Sequence, residues 1–254
     1  MKRLMTALLI TATLFAVNGC APTAPKATAP AIPPPTFDFT PPQTAEPGST
    51  NVVLALVNPS YSETDPTRSA VFAFYPFADF QKNMGRDFEE LLVARGFTLT
   101  GPFPSREEMT FPDKNGCDLV LMPSLDVSVT FPRVQPESVV MLLEPTKYKV
   151  VGEASVTGRI TLNLLESLSG EKMWSKSINI PAAAQAVTFA GDNRYETPPA
   201  ASVDVTDRGL HRALAPALSQ AYAAVMDATW KYFDPQEIAV VKREAMPVKE
   251  KKRY

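Results

Sequence analysis

Two stretches in the middle of the chain alternate apolar and polar residues with a period of two. From Leu125 to Phe131, and again from Glu153 to Leu164, every second residue except Gly158 is aliphatic or aromatic, and the residues between are Ser, Thr, Asn or charged. This alternation is typical of strands that have one buried and one solvated face. A turn at 167–171 and a return strand at 173–180 follow, so the sequence predicts an antiparallel hairpin.

Other segments repeat apolar residues with the spacing of a helix. The segment from Asp79 to Gly96 places Phe80, Met84 and Phe88 on one stripe, and Asp79 and Gly96 are suitable capping residues. A longer stripe extends from Asp207 to Phe233, and Pro216 within it predicts a kink or a break just before that residue. We expect a shorter helical segment at 236–246.

Short apolar runs predict further strands at 51–57, 71–75 and 97–100, and residues 101–116 resemble a loop with one helical turn near 105–109. After the return strand we expect a loop through Ser202. The order of these elements predicts an α+β domain. Its sheet is largely antiparallel, with the long C-terminal helix and one shorter helix packed against it.

Composition excludes several classes of function. The chain has 254 residues and a net charge of -2, with one histidine and two cysteines. A nucleic-acid-binding protein normally presents a basic surface, and histidine metal clusters or multiple disulfides need more of those residues. No nucleotide-binding or hydrolase motif is present, so we expect neither an enzyme nor a cofactor or metal.

The first twenty residues resemble the signal peptide of a bacterial lipoprotein. Lys2 and Arg3 precede an apolar run from Leu4 to Val17, which is too short to span a bilayer permanently. The run ends in Val17-Asn18-Gly19-Cys20, which is similar to a lipobox. The sequence therefore predicts a signal peptide at 1–19 and fatty acylation of Cys20, which would anchor the protein to a membrane.

Residues 20–50 follow as the acylated cysteine and a proline-rich tether. Nine prolines lie between residues 21 and 50, and an extended chain of this length would reach about 90 Å. We expect the globular domain at 51–241. Residues 242–254 contain six basic and two acidic side chains, and this composition predicts a solvated basic tail.

Four sets of residues are candidates for chemistry, and each also has a structural interpretation. His211 lies on the predicted long helix and is most simply a surface residue. Cys117 is either a buried free thiol or the site of an intermolecular disulfide. Asp204 and Asp207 are more typical of helix capping than of an acid pair or calcium site. The tryptophans at 174 and 230 lie within apolar periodicity, which favours core packing over stacking on a sugar.

Several segments together resemble the neuraminyllactose-binding hemagglutinin lipoprotein family. They are the lipobox at Cys20, the strand Val52 to Val57, the helix end Leu91-Leu92-Val93-Ala94-Arg95-Gly96-Phe97, the strand after Gly116 and the long C-terminal helix with its basic end. The turn Leu164-Leu165-Glu166-Ser167-Leu168-Ser169-Gly170-Glu171 is similar to the Leu-Glu-Pro-x-Ser-Gly-Glu turn of that family.

This resemblance implies a lipoprotein of the outer membrane or cell surface that binds sialic acid as an adhesin. In that family a basic segment after the strand at 125–131 is associated with glycan binding, and Arg133 is the one basic residue at the matching positions here. A periplasm-facing lipoprotein that docks to proteins during envelope, flagellar or secretion-machine assembly remains the alternative. The expected partner is accordingly a sialylated glycan or an envelope protein. The sequence is also compatible with a homo-oligomer, and it does not indicate which membrane leaflet carries the anchor.

Overall fold

The computed structural model describes residues 35–62, 71–137, 147–192 and 208–252. The predicted signal peptide, Cys20 and residues 21–34 lie outside these ranges. The strands are β1 (Val53–Val57), β2 (Ser60–Tyr61), β3 (Thr98–Phe103), β4 (Leu119–Glu137), β5 (Lys147–Glu166) and β6 (Lys172–Asp192). The helices are α1 (Phe77–Ala94), α2 (Phe111–Gly116), α3 (Arg208–Tyr232) and α4 (Pro235–Lys251).

The strands form a mixed sheet in the order β3-β1-β4-β5-β6, and β2 pairs with part of β4. The predicted hairpin is confirmed, and it is part of an antiparallel β4–β5–β6 unit that makes up most of the sheet. β1 is parallel to both β3 and β4, because the chain crosses from β1 to β3 through α1 and from β3 to β4 through α2. The α+β class is therefore confirmed, in a sheet that is not purely antiparallel.

The two predicted amphipathic helices pack on one face of this sheet. In α1, Phe80, Met84 and Phe88 are fully buried; the helix begins at Phe77, with Pro76 rather than Asp79 at its N-cap. α3 buries Leu214, Leu218 and Tyr222 and continues through Pro216 without a break.

β1 contributes to hydrophobic clusters on both faces of the sheet. Leu54 and Leu56 face the large core beneath the helices. Ala55 and Val57 face a smaller cluster that includes Met109, Cys117 and Val120. The helical turn beside this small cluster is α2, which begins with a capping box between Thr110 and Asp113, later in the chain than the turn predicted at 105–109.

The domain includes part of the segment predicted to be a tether. Phe37 is 3% exposed, and its ring lies 5.5 Å from the rings of both Phe80 and Tyr222. Asp38 forms an ion pair with Arg86 at 2.9 Å, and the Thr36 carbonyl accepts a hydrogen bond from Ser219. Residues 35–50 thus pack on the domain. The buried rings of Phe37 and Phe39 offset the poor packing of the prolines in this segment.

Three further expectations differ from the structure. Val71 and Phe72 are helical and a turn follows them, so the strand expected at 71–75 is wrong. β6 continues through the stretch expected to be a loop as far as Asp192. α4 continues through Lys251, so residues 242–251 of the predicted basic tail are helical. The apolar residues Ile238, Val241 and Ala245 of this helix are buried at helical spacing.

Candidate functional site

The residues predicted from the sequence do not meet at one place in the described structure. Cys20, Asp204 and Asp207 lie outside the described residues. Arg133 lies on β4, where its backbone pairs with Glu153 just beyond a register shift, and His211 lies on α3. The side chains of Arg133 and His211 are outside the described structure, so their roles remain predictions.

Cys117 is a buried free thiol, as one of its two interpretations predicted. Burial raises the pKa of this thiol to about 11, and the nearby Lys249 ammonium offsets only part of that effect. At neutral pH the group is therefore protonated, and a thiol is a far weaker nucleophile than a thiolate. Cys117 has the properties of a packing residue.

The two tryptophans pack against the core and also bind polar partners. Trp174 lies near Phe233, and its indole N–H donates to the Glu237 carboxylate at 2.7 Å. The Arg95 guanidinium lies 3.7 Å from the centre of the Trp230 ring. Both rings are only partly buried, but each is covered by a protein group, so neither offers an open platform for a sugar.

The turn that suggested a family resemblance is held together by a buried carboxylate. Glu166 accepts hydrogen bonds from the backbone N–H groups of Leu168 at 2.9 Å and Ser169 at 2.5 Å. Burial alone would raise the pKa of Glu166, but these bonds outweigh it and the pKa is lowered. Gly170 completes the turn with a φ of +75°, and Arg106 donates to the carbonyls of Ser167 and Leu168.

Two lysines of α4 attach this helix to the chain segments before β1 and β4. Lys242 lies 2.9 Å from the Asp118 carboxylate and donates to the Asn51 carbonyl at 2.6 Å. Lys249 donates to the carbonyls of Asn115 and Cys117 at the end of α2, where a cation interacts favourably with the helix dipole. Part of the basic character near the C-terminus is therefore structural.

The face of β4–β6 opposite the helices is an extended polar surface, which we call the polar face. Its members alternate with buried core residues along each strand: Asp126, Ser128 and Thr130 on β4; Ser155, Thr157, Arg159, Thr161 and Asn163 on β5; Ser175, Ser177 and Asn179 on β6. The strand alternation in the sequence correctly predicted the outward positions on β4 and β5, although it did not identify them as a site.

Hydrogen bonds between neighbouring strands link several side chains of the polar face. The hydroxyl oxygens of Thr130 and Ser155 lie 2.7 Å apart, and Ser175 donates to the Asn163 amide oxygen at 2.8 Å. These side chains remain accessible and each hydroxyl can still accept or donate another bond. The surface can therefore bind a polar ligand through many neutral hydrogen bonds.

The polar face has few charges. Asp126 and Arg159 lie opposite one another with 3.6 Å between their charged atoms, and their side chains are 62% and 55% exposed. Glu153 adds one carboxylate at the outer end. Arg159 is thus a guanidinium on a hydroxyl-rich surface, and its exposed ion pair is weak enough to exchange for another carboxylate.

A concave surface lies between the N-terminal segment, α1 and β3. Its lining includes Thr44, Glu89, Glu90 and Leu99. Burial, followed by repulsion from Glu90, raises the pKa of Glu89. This groove combines two carboxylates with apolar side chains, and within the described ranges no group of His, Cys, Asp and Glu is arranged to hold a metal ion.

None of the helices in the described part of the chain is long and apolar enough to cross a membrane. The described structure thus consists of a helical layer, a sheet and an open polar face.

Comparison with solved structures identifies the same fold in a neuraminyllactose-binding hemagglutinin homolog from Helicobacter pylori. The two share 17% sequence identity with a TM-score of 0.55, over 84% of this chain and 99% of that chain. A DUF330 protein from Xanthomonas campestris matches at 14% identity and a TM-score of 0.35, over 84% of this chain and 97% of that chain. No family model and no curated protein matches this sequence. The fold that the sequence resemblance implied is confirmed.

Proposed function

We propose that this protein is a lipid-anchored bacterial envelope protein that acts without catalysis, as an adhesin-like module that binds glycans through the polar face. The observation that supports this most directly is the array of accessible Ser, Thr and Asn side chains around Arg159. Hydroxyl and amide groups exchange hydrogen bonds with the hydroxyls of a sugar, and a guanidinium pairs with the carboxylate of a sialic acid.

The lipid anchor in this proposal is the acylated Cys20 of the outer-membrane lipoprotein predicted from the sequence. Because residues 35–50 pack on the domain, only residues 21–34 are left for the tether in this proposal. At about 3.1 Å per residue, this segment reaches at most about 45 Å, half of the span expected from residues 21–50.

In this proposal the anchored domain presents the polar face away from the membrane. The chain enters the domain where Phe37 packs between α1 and α3, on the helical side of the sheet. The polar face lies on the opposite side of that sheet. A glycan on a neighbouring surface would therefore meet the polar face before the helices.

A glycan array of the purified full-length protein tests the binding proposal. We expect a signal for sialylated glycans over their uncharged parents, loss of this preference in Arg159→Gln, and a stronger signal in Asp126→Asn, which frees the guanidinium. Arg243→Gln changes an exposed arginine on α4 and is the matched control. Absence of binding to any glycan would overturn the adhesin proposal, and a preference unaffected by Arg159→Gln would exclude this site.

The alternative is docking to an envelope, flagellar or secretion-machine protein from the periplasmic side. The polar face extends across three strands, and this extent favours the alternative, since small-ligand sites are usually concave pockets. Protease treatment of intact cells separates the two locations. Cleavage of the domain on intact cells supports the adhesin, and cleavage only after the outer membrane is opened supports periplasmic docking.

A further inference from the structure

Among the strands that the structure describes, β6 is the last in the sheet order, and one long backbone edge of it has no strand partner there. It extends over 21 residues and, among the strands that the structure describes, pairs only with β5. Backbone N–H and C=O groups along such an edge are ready to pair with another strand. The outer half of the edge lies beyond Ile180, where Pro181, Ala182 and Ala186 are exposed.

Between Pro181 and Asp192, the outer half of β6 lacks the features that normally prevent edge strands from pairing. Proteins usually shorten such strands or place charges or prolines in them. The opposite edge strand, β3, follows this rule with six residues and Pro102. In β6, by contrast, no charged residue and no proline occurs between Ala182 and Gly191.

We propose that this edge pairs with the same edge of a second copy of the chain. Two identical strands can pair antiparallel around a two-fold axis, so that each copy contributes the same residues. The uncharged composition of 182–191 means that no like charges meet in such a pair. The two sheets then become one continuous sheet.

The symmetry of this pairing also suits two copies anchored in one membrane. An antiparallel strand pair is related by a half-turn about an axis perpendicular to the sheet, and this rotation does not turn the sheet over. Both helical layers, and with them the entry points near Phe37, therefore lie on one side of the joined sheet. Both polar faces lie on the other side. The membrane part of this argument rests on the lipid anchor proposed above, whereas the strand pairing does not.

Single cysteines at 182, 183, 184 and 186 test the pairing. They are introduced into the full-length chain with Cys20→Ser, so that acylation does not affect the result, and Cys117 is buried. Under mild oxidation we expect disulfide-linked dimers to peak at the residue nearest the two-fold axis and to decrease on either side. Thr100→Cys, on the exposed β3 edge, is the control and should give no disulfide-linked dimer. Equal crosslinking at all sites, or none in β6, would overturn the proposal.

A measurement of mass gives a second test that needs no crosslink. In sedimentation equilibrium we expect the Cys20→Ser chain to form dimers and the variant Ala184→Lys/Ala186→Lys to remain a single chain, because like charges then meet across the axis. Val240→Lys adds a charge at an exposed position of α4 and should still form dimers. Unchanged circular dichroism shows that the variants fold. A single-chain mass for the parent, or a persistent dimer in the double variant, contradicts the inference. Mass spectrometry of native Cys20 tests the lipid anchor separately.

Discussion

Replacing Phe37 with alanine measures how firmly the N-terminal segment is attached to the domain. The ring is 3% exposed and contacts both Phe80 and Tyr222. Replacing a buried Phe with Ala lowers the free energy of unfolding by about 3–5 kcal/mol when the Phe is exposed only on unfolding of the whole domain. The neighbouring Asp38–Arg86 ion pair is exposed and contributes about 0–1 kcal/mol, so it cannot hold the segment alone.

Two measurements show whether Phe37→Ala destabilises the whole domain or only detaches residues 35–50. If the segment unfolds together with the domain, urea denaturation should show most of the 3–5 kcal/mol as a lower free energy of unfolding. If residues 35–50 detach first, the urea midpoint changes less, and proteinase K should cut this segment while the rest of the domain remains intact.

Phe111→Ala is the matched control, because the Phe111 side chain is 63% exposed and its loss should change stability by no more than about 0.5 kcal/mol. If Phe37→Ala matched this control in both the urea and protease measurements, the packing of residues 35–50 would be refuted. The shorter tether would then be refuted with it.

Three further predictions concern the buried groups near the 166–171 turn. Gly170→Ala should destabilise the domain by about 1–2 kcal/mol or more in urea, because φ is +75° and a Cβ would lie 2.8 Å from the Arg106 guanidinium; an unchanged midpoint contradicts this. Since the folded pKa of Glu166 is lowered, its contribution is present above the unfolded pKa of about 4.5 and is lost as pH falls through the folded value. The difference in unfolding free energy between pH 7 and pH 3 should therefore be smaller in Glu166→Gln than in the parent, and an equal difference refutes it. Cys117 should react with a thiol reagent at pH 8 only after unfolding, because burial raises its pKa to about 11; rapid reaction of the native protein would show that the thiol is accessible.

Regular periodicity explains why much of the fold could be predicted. The outward positions of β4 and β5 followed from strand alternation, and α1 and α3 followed from their apolar stripes. A five-residue apolar run has no such periodicity, and the run at 71–75 was wrongly predicted to be a strand. β6 was predicted too short because Pro181 resembled a strand end, although an edge strand tolerates proline.

The contacts around the candidate site were harder to predict, because they are made between residues that are distant in sequence. Phe37 was visible as an aromatic residue of a proline-rich segment, but its partners Phe80 on α1 and Tyr222 on α3 are distant in sequence. The pairing of Asp126 with Arg159 required the strand register, which no local pattern contains. Likewise, the lysines at 242 and 249 resembled a charged tail until helix α4 brought them to carbonyl and carboxylate groups.

The sheet is covered unequally, and this affects how the protein can change during evolution. β1 is enclosed on both faces, so a polar residue at nearly any of its positions would be buried without a partner. Along 153–163 of β5 and 175–179 of β6, by contrast, every second side chain faces solvent and has no core residue packed behind it. Related proteins could acquire new recognition properties by replacing these alternate residues, while the same domain continues to fold.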